Sequence, residues 1–242
     1  MKISVIYPVC SLPVNDPKGF PHPFLLTSLN SVLTAVGDSK DIDFEILIGV
    51  DGQRTMLVQF LRYWIKSNKI SDQQIKVFQF DYTASWGNHQ RNSLMPYATG
   101  DYITFMDHDD RYCNGIFKEI QTAAEQHPGR PLIFKMHSYV HAHTGAELTD
   151  PMEFPQPGYV GEIQIGRIGG HQIVCPNIKE LLGIWPANIY EADFHFIRST
   201  VEKFKELGLD PVWINHTIAQ LRPYQSEISS PIIMNTNKQI IF

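Results

Sequence analysis

Four apolar runs, at residues 3–9, 44–50, 75–80 and 102–106, alternate with segments of helical spacing over the first 110 residues. Residues 24–36 carry Leu25, Leu26, Leu29, Val32 and Leu33 at that spacing and meet Gly37, a natural stop. Residues 55–65 repeat the pattern, and residues 88–98 do so up to Pro96, which ends or kinks a helix. Strands that read as nearly continuous apolar runs are buried on both faces, so helices must cover both sides of a mainly parallel sheet. An α/β sheet of this kind binds ligands beyond the carboxyl ends of its strands. Two of those ends carry acids: Asp51 after the second run, and Asp107, Asp109 and Asp110 after the fourth.

The second acid group sets the expected chemistry. Three carboxylates within four residues repel one another unless something positive sits among them. Mg2+ and Mn2+ prefer carboxylate oxygen and usually bind through one or two carboxylates plus substrate phosphates. A solvated acidic turn is the plainer alternative, but a position directly after a buried strand favours a metal and a diphosphate. The rest of the chain narrows the partners. A formal net charge of -5 with no run of Lys or Arg argues against nucleic acid or an anionic membrane as the main partner. Cys10, Cys113 and Cys175 are far apart and form no CxxC pair, which suits a reducing cytosol. No stretch approaches the ~20 apolar residues of a transmembrane segment, and the apolar start is too short for a signal peptide. The expected location is cytoplasmic, or peripheral at the inner face of a membrane. With 242 residues, 43% of them hydrophobic, the chain can bury a sizeable core.

A family resemblance rests on the residues around the acids. Gly87-Asn-His-Gln-Arg-Asn92, then Ala98-Thr-Gly-Asp-Tyr-Ile-Thr-Phe-Met-Asp-His-Asp-Asp110, resembles the core of the family 2 glycosyltransferases of the GT-A fold. Ile3-Ser-Val-Ile-Tyr-Pro8, Ser28-Leu-Asn-Ser-Val-Leu33 and Phe44-Glu-Ile-Leu-Ile-Gly-Val-Asp51 follow the family's order. The resemblance implies one GT-A, Rossmann-like domain over 1–242, with a nucleotide-sugar half at 1–112 and an irregular acceptor-side half at 113–242. It implies a nucleotide diphosphate sugar donor, UDP-linked by preference, and a glycan, lipid-linked or other hydroxyl acceptor, hence a role in glycan biosynthesis. By the same resemblance Asp51 bonds the donor's base, and Pro8 and Arg91 face the donor. Asp109 binds Mn2+ or Mg2+, Asp107 reaches the ribose or the metal, and Asp110 assists or supports the loop. For Arg91 a surface ion pair on a helix is the competing reading. Val9-Cys10-Ser11 and the long loop to Pro23 depart from the family's pattern.

The second half is less regular. Helices are expected at 114–126, 178–182 and 192–207, strands at 132–140 and 212–214, and an irregular Pro- and Gly-rich stretch at 150–170. Inverting transfer needs a base for the acceptor hydroxyl, which the family places in a Glu-Asp pair opening a helix. Matching on Arg198 aligns Glu191 with that Glu and Ala192 with the Asp; a shift of one residue puts Asp193 at the base. Asp193 is the first choice and Glu191 the alternative, although acids in a first helical turn also serve the helix dipole. Gly169-Gly-His-Gln-Ile-Val-Cys-Pro176 resembles the family's Gly-rich segment beside the donor sugar, which assigns Gly170 and His171 to the donor and leaves Gln172 as a further sugar contact. Trp185 is a candidate for stacking on the acceptor. His216 is a candidate metal ligand, by analogy with a late histidine in some GT-A enzymes. His137, His141 and His143 share parity along an extended chain, a weak zinc pattern with no fourth ligand. Two alternatives to transfer stand: a degenerate GT-A domain that binds without turnover, and a nucleotidyltransferase. The latter lacks its basic Gly-rich loop, since residues 10–23 hold only Lys18 beside Gly19.

Overall fold

The computed structural model describes residues 1–9, 24–37, 42–71, 73–140 and 146–223. The loop at 10–23, with Lys18 and Gly19, lies outside these residues, as do His141 and His143. Strands β1 (Lys2–Val9), β2 (Asp43–Asp51), β3 (Ile75–Phe80) and β4 (Tyr102–Phe105) are the four apolar runs. They pair in parallel in the order β3-β2-β1-β4. Alternate residues point to opposite faces. Ile3, Val5, Tyr7 and Val9 of β1 pack in one cluster with helix α1 (Leu25–Val36) and helix α2 (Thr55–Ser67). Ile6 of β1 and Leu47 of β2 pack in a second cluster with Leu94 of helix α3 (Asn88–Leu94). Both faces are therefore covered, and the polar Ser4, Glu45 and Thr104 that these strands bury are each hydrogen-bonded. Pro96 falls in a 3-10 turn directly after α3, where the missing N–H costs nothing.

Beyond β4 the sheet continues through β5 (Arg111–Tyr112), β6 (Leu132–Val140), β7 (Glu147–Phe154), β8 (Ile173–Pro176) and β9 (Val212–Leu221). The order after β4 is β8-β6-β9-β5, with β7 on β6. β8 runs antiparallel to β4 and β6, and β9 parallel to β6. Helix α4 (Ile116–Gln126) and helix α5 (Ala192–Glu206) complete the layers. Phe196, Ile197 and Val201 of α5 join the cluster on the α3 face.

This half departs from the sequence expectations. The stretch at 150–170 is not irregular throughout, since its first five residues close β7. Pro151 sits where the β6–β7 register shifts, on a strand with one neighbour, so no ladder bond is lost. The last strand is much longer than 212–214: it carries on through the exposed Asn215 and His216 and the half-buried Thr217, whose polar side chains hide it. The expected helix at 178–182 is a 3-10 turn, Lys179–Leu181. β5 and β8 are too short to carry a readable period. Among the described residues no helix is long and apolar enough to cross a membrane.

Candidate functional site

The carboxyl ends of β1, β2 and β4 open onto a cleft of about 1080 Å3. Pro8, Asp51, Arg91, Asp107, Asp109, Asp110, His171, Glu191 and Asp193 all line it. Asp51 closes β2 and is nearly buried. Its Oδ1 accepts hydrogen bonds from the Thr83 amide at 3.0 Å and from Gln90 Nε2 at 2.8 Å. The carboxylate is thus fixed in place at the strand end.

Gly87 opens α3 with φ of 81°, and a Cβ there would lie 2.8 Å from Pro8 Cβ. Only glycine fits both the backbone and the approach. One turn on, Arg91 points back to the cleft and is 4% exposed. Its NH1 donates to the Trp86 carbonyl at 2.9 Å and to Asn88 Oδ1 at 3.1 Å, and its NH2 donates to Asp107 Oδ1. Arg91 is therefore no surface ion pair, because burial commits its charge to Asp107.

The acidic turn folds unevenly. Asp110 is 5% exposed; its Oδ1 accepts from the Arg222 amide at 2.7 Å and its Oδ2 lies 3.0 Å from His171 Nε2. His171 Nε2 is also 4.0 Å from the Asp107 carboxylate and 3.1 Å from the Asp107 amide. One ligand atom each from Asp107, Asp110 and His171 lies within 4.8 Å of the others. Among the described residues this is the group of three or more His, Cys, Asp or Glu placed to share an ion. Asp109, expected beside Asp107, instead has Oδ2 at 3.3 Å from Arg222 Nε. His216 is not brought to the cleft: it lies half-exposed along β9, with Nε2 3.6 Å from Glu119 of α4. Its place on β9 is six residues short of Arg222, where the end of the strand meets the cleft. His137 lies 3.8 Å from its cross-strand neighbour Glu153.

Charge in the cluster is finely opposed. Burial alone would drive the His171 imidazole neutral, but Asp110, Asp107 and Asp193 outweigh it and raise its pKa. Burial lifts the Asp110 carboxyl, Asp109 adds to the lift, and His171 pulls against it.

The acceptor side comes from two segments. Gly169 lines the cleft, whereas Gly170 lies behind it: a Cβ on Gly170 would sit 2.7 Å from the Trp185 ring and 3.4 Å from Asp193 Oδ1. Gln172 is fully buried and spends its amide on the Gly169 amide and the Phe134 and Phe154 carbonyls, so it does not face a sugar. Trp185 is also fully buried and cannot stack on an acceptor. Asp193, in the first turn of α5, is partly open to the cleft. Burial raises its carboxyl above the ordinary range, opposed first by Arg91 and helped by Asp107. Glu191 is exposed at the N-cap, where its side chain makes no cap bond. Sequence reasoning missed Arg222, whose place over Asp109 and Asp110 depends on the unexpected length of β9. It also missed Trp86, a cleft residue held at φ of 52°.

Comparison with known proteins bears on the family and the fold. The family model described as glycosyl transferase family 2 matches residues 22–140. The fold is similar to that of TarS residues 1–349 from S. aureus, with TM-score 0.65, 16% identity and coverage of 95% of this chain and 63% of that one. The same protein in complex with UDP-GlcNAc matches with TM-score 0.62 and 18% identity, covering 91% of this chain and 58% of that one. A mannosyltransferase, PcManGT from Pyrobaculum calidifontis, in complex with GDP-Man and Mn2+, matches with TM-score 0.56 and 14% identity, covering 93% and 59%. The chain thus spans less than two thirds of the length of these structures. No curated protein matches it by sequence. Residues 22–140 are accordingly a glycosyl transferase family 2 domain, built on a GT-A fold that extends through the described chain.

Proposed function

We propose that the cleft transfers a sugar from a nucleotide diphosphate donor, UDP-linked in the first instance, to an acceptor hydroxyl with inversion. The observation that carries this reading is the convergence of Asp107, Asp110 and His171 on one point beside Arg91 and Asp193. The donor set suits Mn2+ or Mg2+, being two carboxylates and an imidazole with a surplus of negative charge. Bound there, such an ion supplies the positive charge that a departing diphosphate needs. Asp109 remains a further ligand in this reading, and its pairing with Arg222 is what a cation would replace. Asp51 and Pro8 bound the side where the base sits. Arg91 holds Asp107 and faces the phosphates. Asp193 takes the acceptor proton, its carboxyl being raised above the ordinary range by burial. The acceptor is a glycan or a lipid-linked hydroxyl, and the enzyme works in the cytoplasm or at the inner face of a membrane.

One observation favours a second reading. Ala192, at the family's base position, is buried and carries no acid, which leaves a domain that binds a nucleotide-sugar without turnover. The deciding experiment measures thermal stability against UDP-, GDP-, CMP- and dTDP-linked sugars with and without Mn2+, followed by product analysis. A ligand that binds only the folded state raises the midpoint. A metal-dependent shift with one nucleotide plus transfer or donor hydrolysis supports the enzyme. The shift without either supports the binding domain, and no shift with any donor removes both readings.

A further inference from the structure

We propose that Trp185, braced by Asn92, is a positioning residue that sets the Arg91 guanidinium against Asp107. Arg91 Cζ lies 4.5 Å from the Trp185 ring centroid. Phe196 stacks on the same indole at 4.5 Å with the planes 13° apart, and Phe105 meets it at 5.0 Å, edge to face. The indole is thus clamped by the core on one side while it presents a face to a buried cation. Trp185 does not line the cleft, whereas Arg91 and Asp107 do, so any effect it has on a ligand passes through them.

The backbone around the ring is tied to the helix that carries Arg91. Asn92 Nδ2 donates to the Trp185 carbonyl at 2.7 Å, and the Trp185 amide donates to Asn92 Oδ1 at 2.9 Å. Asn88 Nδ2 donates to the Pro186 carbonyl at 3.0 Å. The segment is in this way stapled to α3 on both sides of Arg91. Opposite, Gly170 leaves space for the ring that a Cβ would take.

Packing alone does not account for an indole here. Trp185 Nε1 is buried without a hydrogen-bond partner among the described residues. A phenyl ring would fill most of the same space and avoid that unpaired donor. What the indole adds is a better face for a cation. Arg91 has use for it: hydrogen bonds from NH1 and NH2 hold its two terminal nitrogens within the guanidinium plane, while Nε is buried without a partner among the described residues. In-plane hydrogen bonds do not hold the group along its normal, and the ring against its face does.

The test has one arm independent of catalysis and one that rests on the sugar-transfer reading. In protein labelled with 15N-arginine, the Arg91 Nε–H resonance is assigned by its loss in Arg91→Lys, and the ring current of Trp185 should place it well upfield. Trp185→Phe should move it toward the ordinary arginine position. Asn92→Ala, which leaves the ring intact, should shift or broaden the same signal and so covers the case in which Trp185→Phe does not fold. An Arg91 signal unchanged in the folded variants overturns the proposal. In the transfer assay, Trp185→Phe should lower kcat/KM about tenfold yet cost less than about twofold once Arg91 is Lys. Equal losses in both backgrounds would show a merely structural ring and overturn it too. If the wild-type protein transfers nothing, the sugar-transfer reading fails, while the resonance still decides the role of Trp185.

Discussion

In the front of the sheet β1, β2 and β4 run parallel and end side by side, so Pro8, Asp51 and Asp107 reach the cleft simply because their strands stop there. In the back, only Arg222 comes from a strand end. His171 sits on a 3-10 turn before β8, Asp193 opens α5, and Arg222 follows β9, on a sheet of mixed direction. These groups are placed by contacts between segments distant in the chain: His171 on Asp110, Gly170 on Trp185, and Arg222 on Asp109. The difference teaches that the front can be rigid by backbone alone, while the back depends on side-chain fit.

The largest effects should fall on the front. Asp107→Asn keeps the shape but removes the charge shared by Arg91 and the ion, and it should lower transfer on the order of 10³-fold. Donor binding with and without Mn2+, measured beside kcat, checks whether the metal dependence disappears as well. Asp109→Asn is the sharper probe, because Asp109 faces Arg222 here. A loss equal to that of Asp107→Asn would mean that the cation displaces Arg222. A loss of less than about tenfold would leave the ion to Asp107, Asp110 and His171.

In the back, Asp193→Asn should cost on the order of 10²-fold in kcat if it is the base, and Glu191→Gln only a few-fold. Full activity in Asp193→Asn would make the back half a binding surface. The pH profile gives an independent check. Burial raises the Asp193 carboxyl, so the group stays protonated, and unable to accept a proton, to a higher pH than an ordinary carboxyl of pKa ~3.9. Activity should therefore rise with pH through an acid limb lying above that range, and the limb should vanish in the residual activity of Asp193→Asn.

Stability should separate the halves next. A Cβ on Gly100, at the start of β4 and the far end from the cleft, would lie 2.7 Å from the Ser4 amide nitrogen. Gly170→Ala meets a rigid ring at the same distance. Each should cost about 1–3 kcal/mol in denaturant unfolding. Only Gly170→Ala should also disturb transfer, because its Cβ presses on Trp185 and approaches Asp193. An equal loss of specific activity in folded Gly100→Ala would erase the distinction.

The same contrast explains what could be read from the chain. Strands buried on both faces declare themselves as apolar runs, and the acids that end them are then placed, which made Asp51 and Asp107 legible. The helix spacing around Gly87 and Arg91 located the arginine, though not its burial. Trp185 and Gln172 were misread because a polar or aromatic side chain in a Gly-rich setting looks the same whether it faces a ligand or closes the core. Asp110 with His171 was missed as a pair because 61 residues separate them and no local pattern links them. β9 was truncated because a strand with exposed polar residues loses its apolar signature.

His216 gives the smallest expected effect and a clean check on the length of that strand. Had β9 ended at residue 214, His216 would fall on a turn, free to reach the acids. In the full strand it is half-exposed beside Glu119 of α4. An exposed pair of this kind contributes about 0–1 kcal/mol, so His216→Ala should leave the unfolding midpoint almost unchanged and the Mn2+ dependence of donor binding untouched. A rise of tenfold or more in the Mn2+ concentration needed for half-maximal binding would place His216 at the ion after all. It would also require the end of β9, and Arg222 with it, to rearrange when the donor is bound.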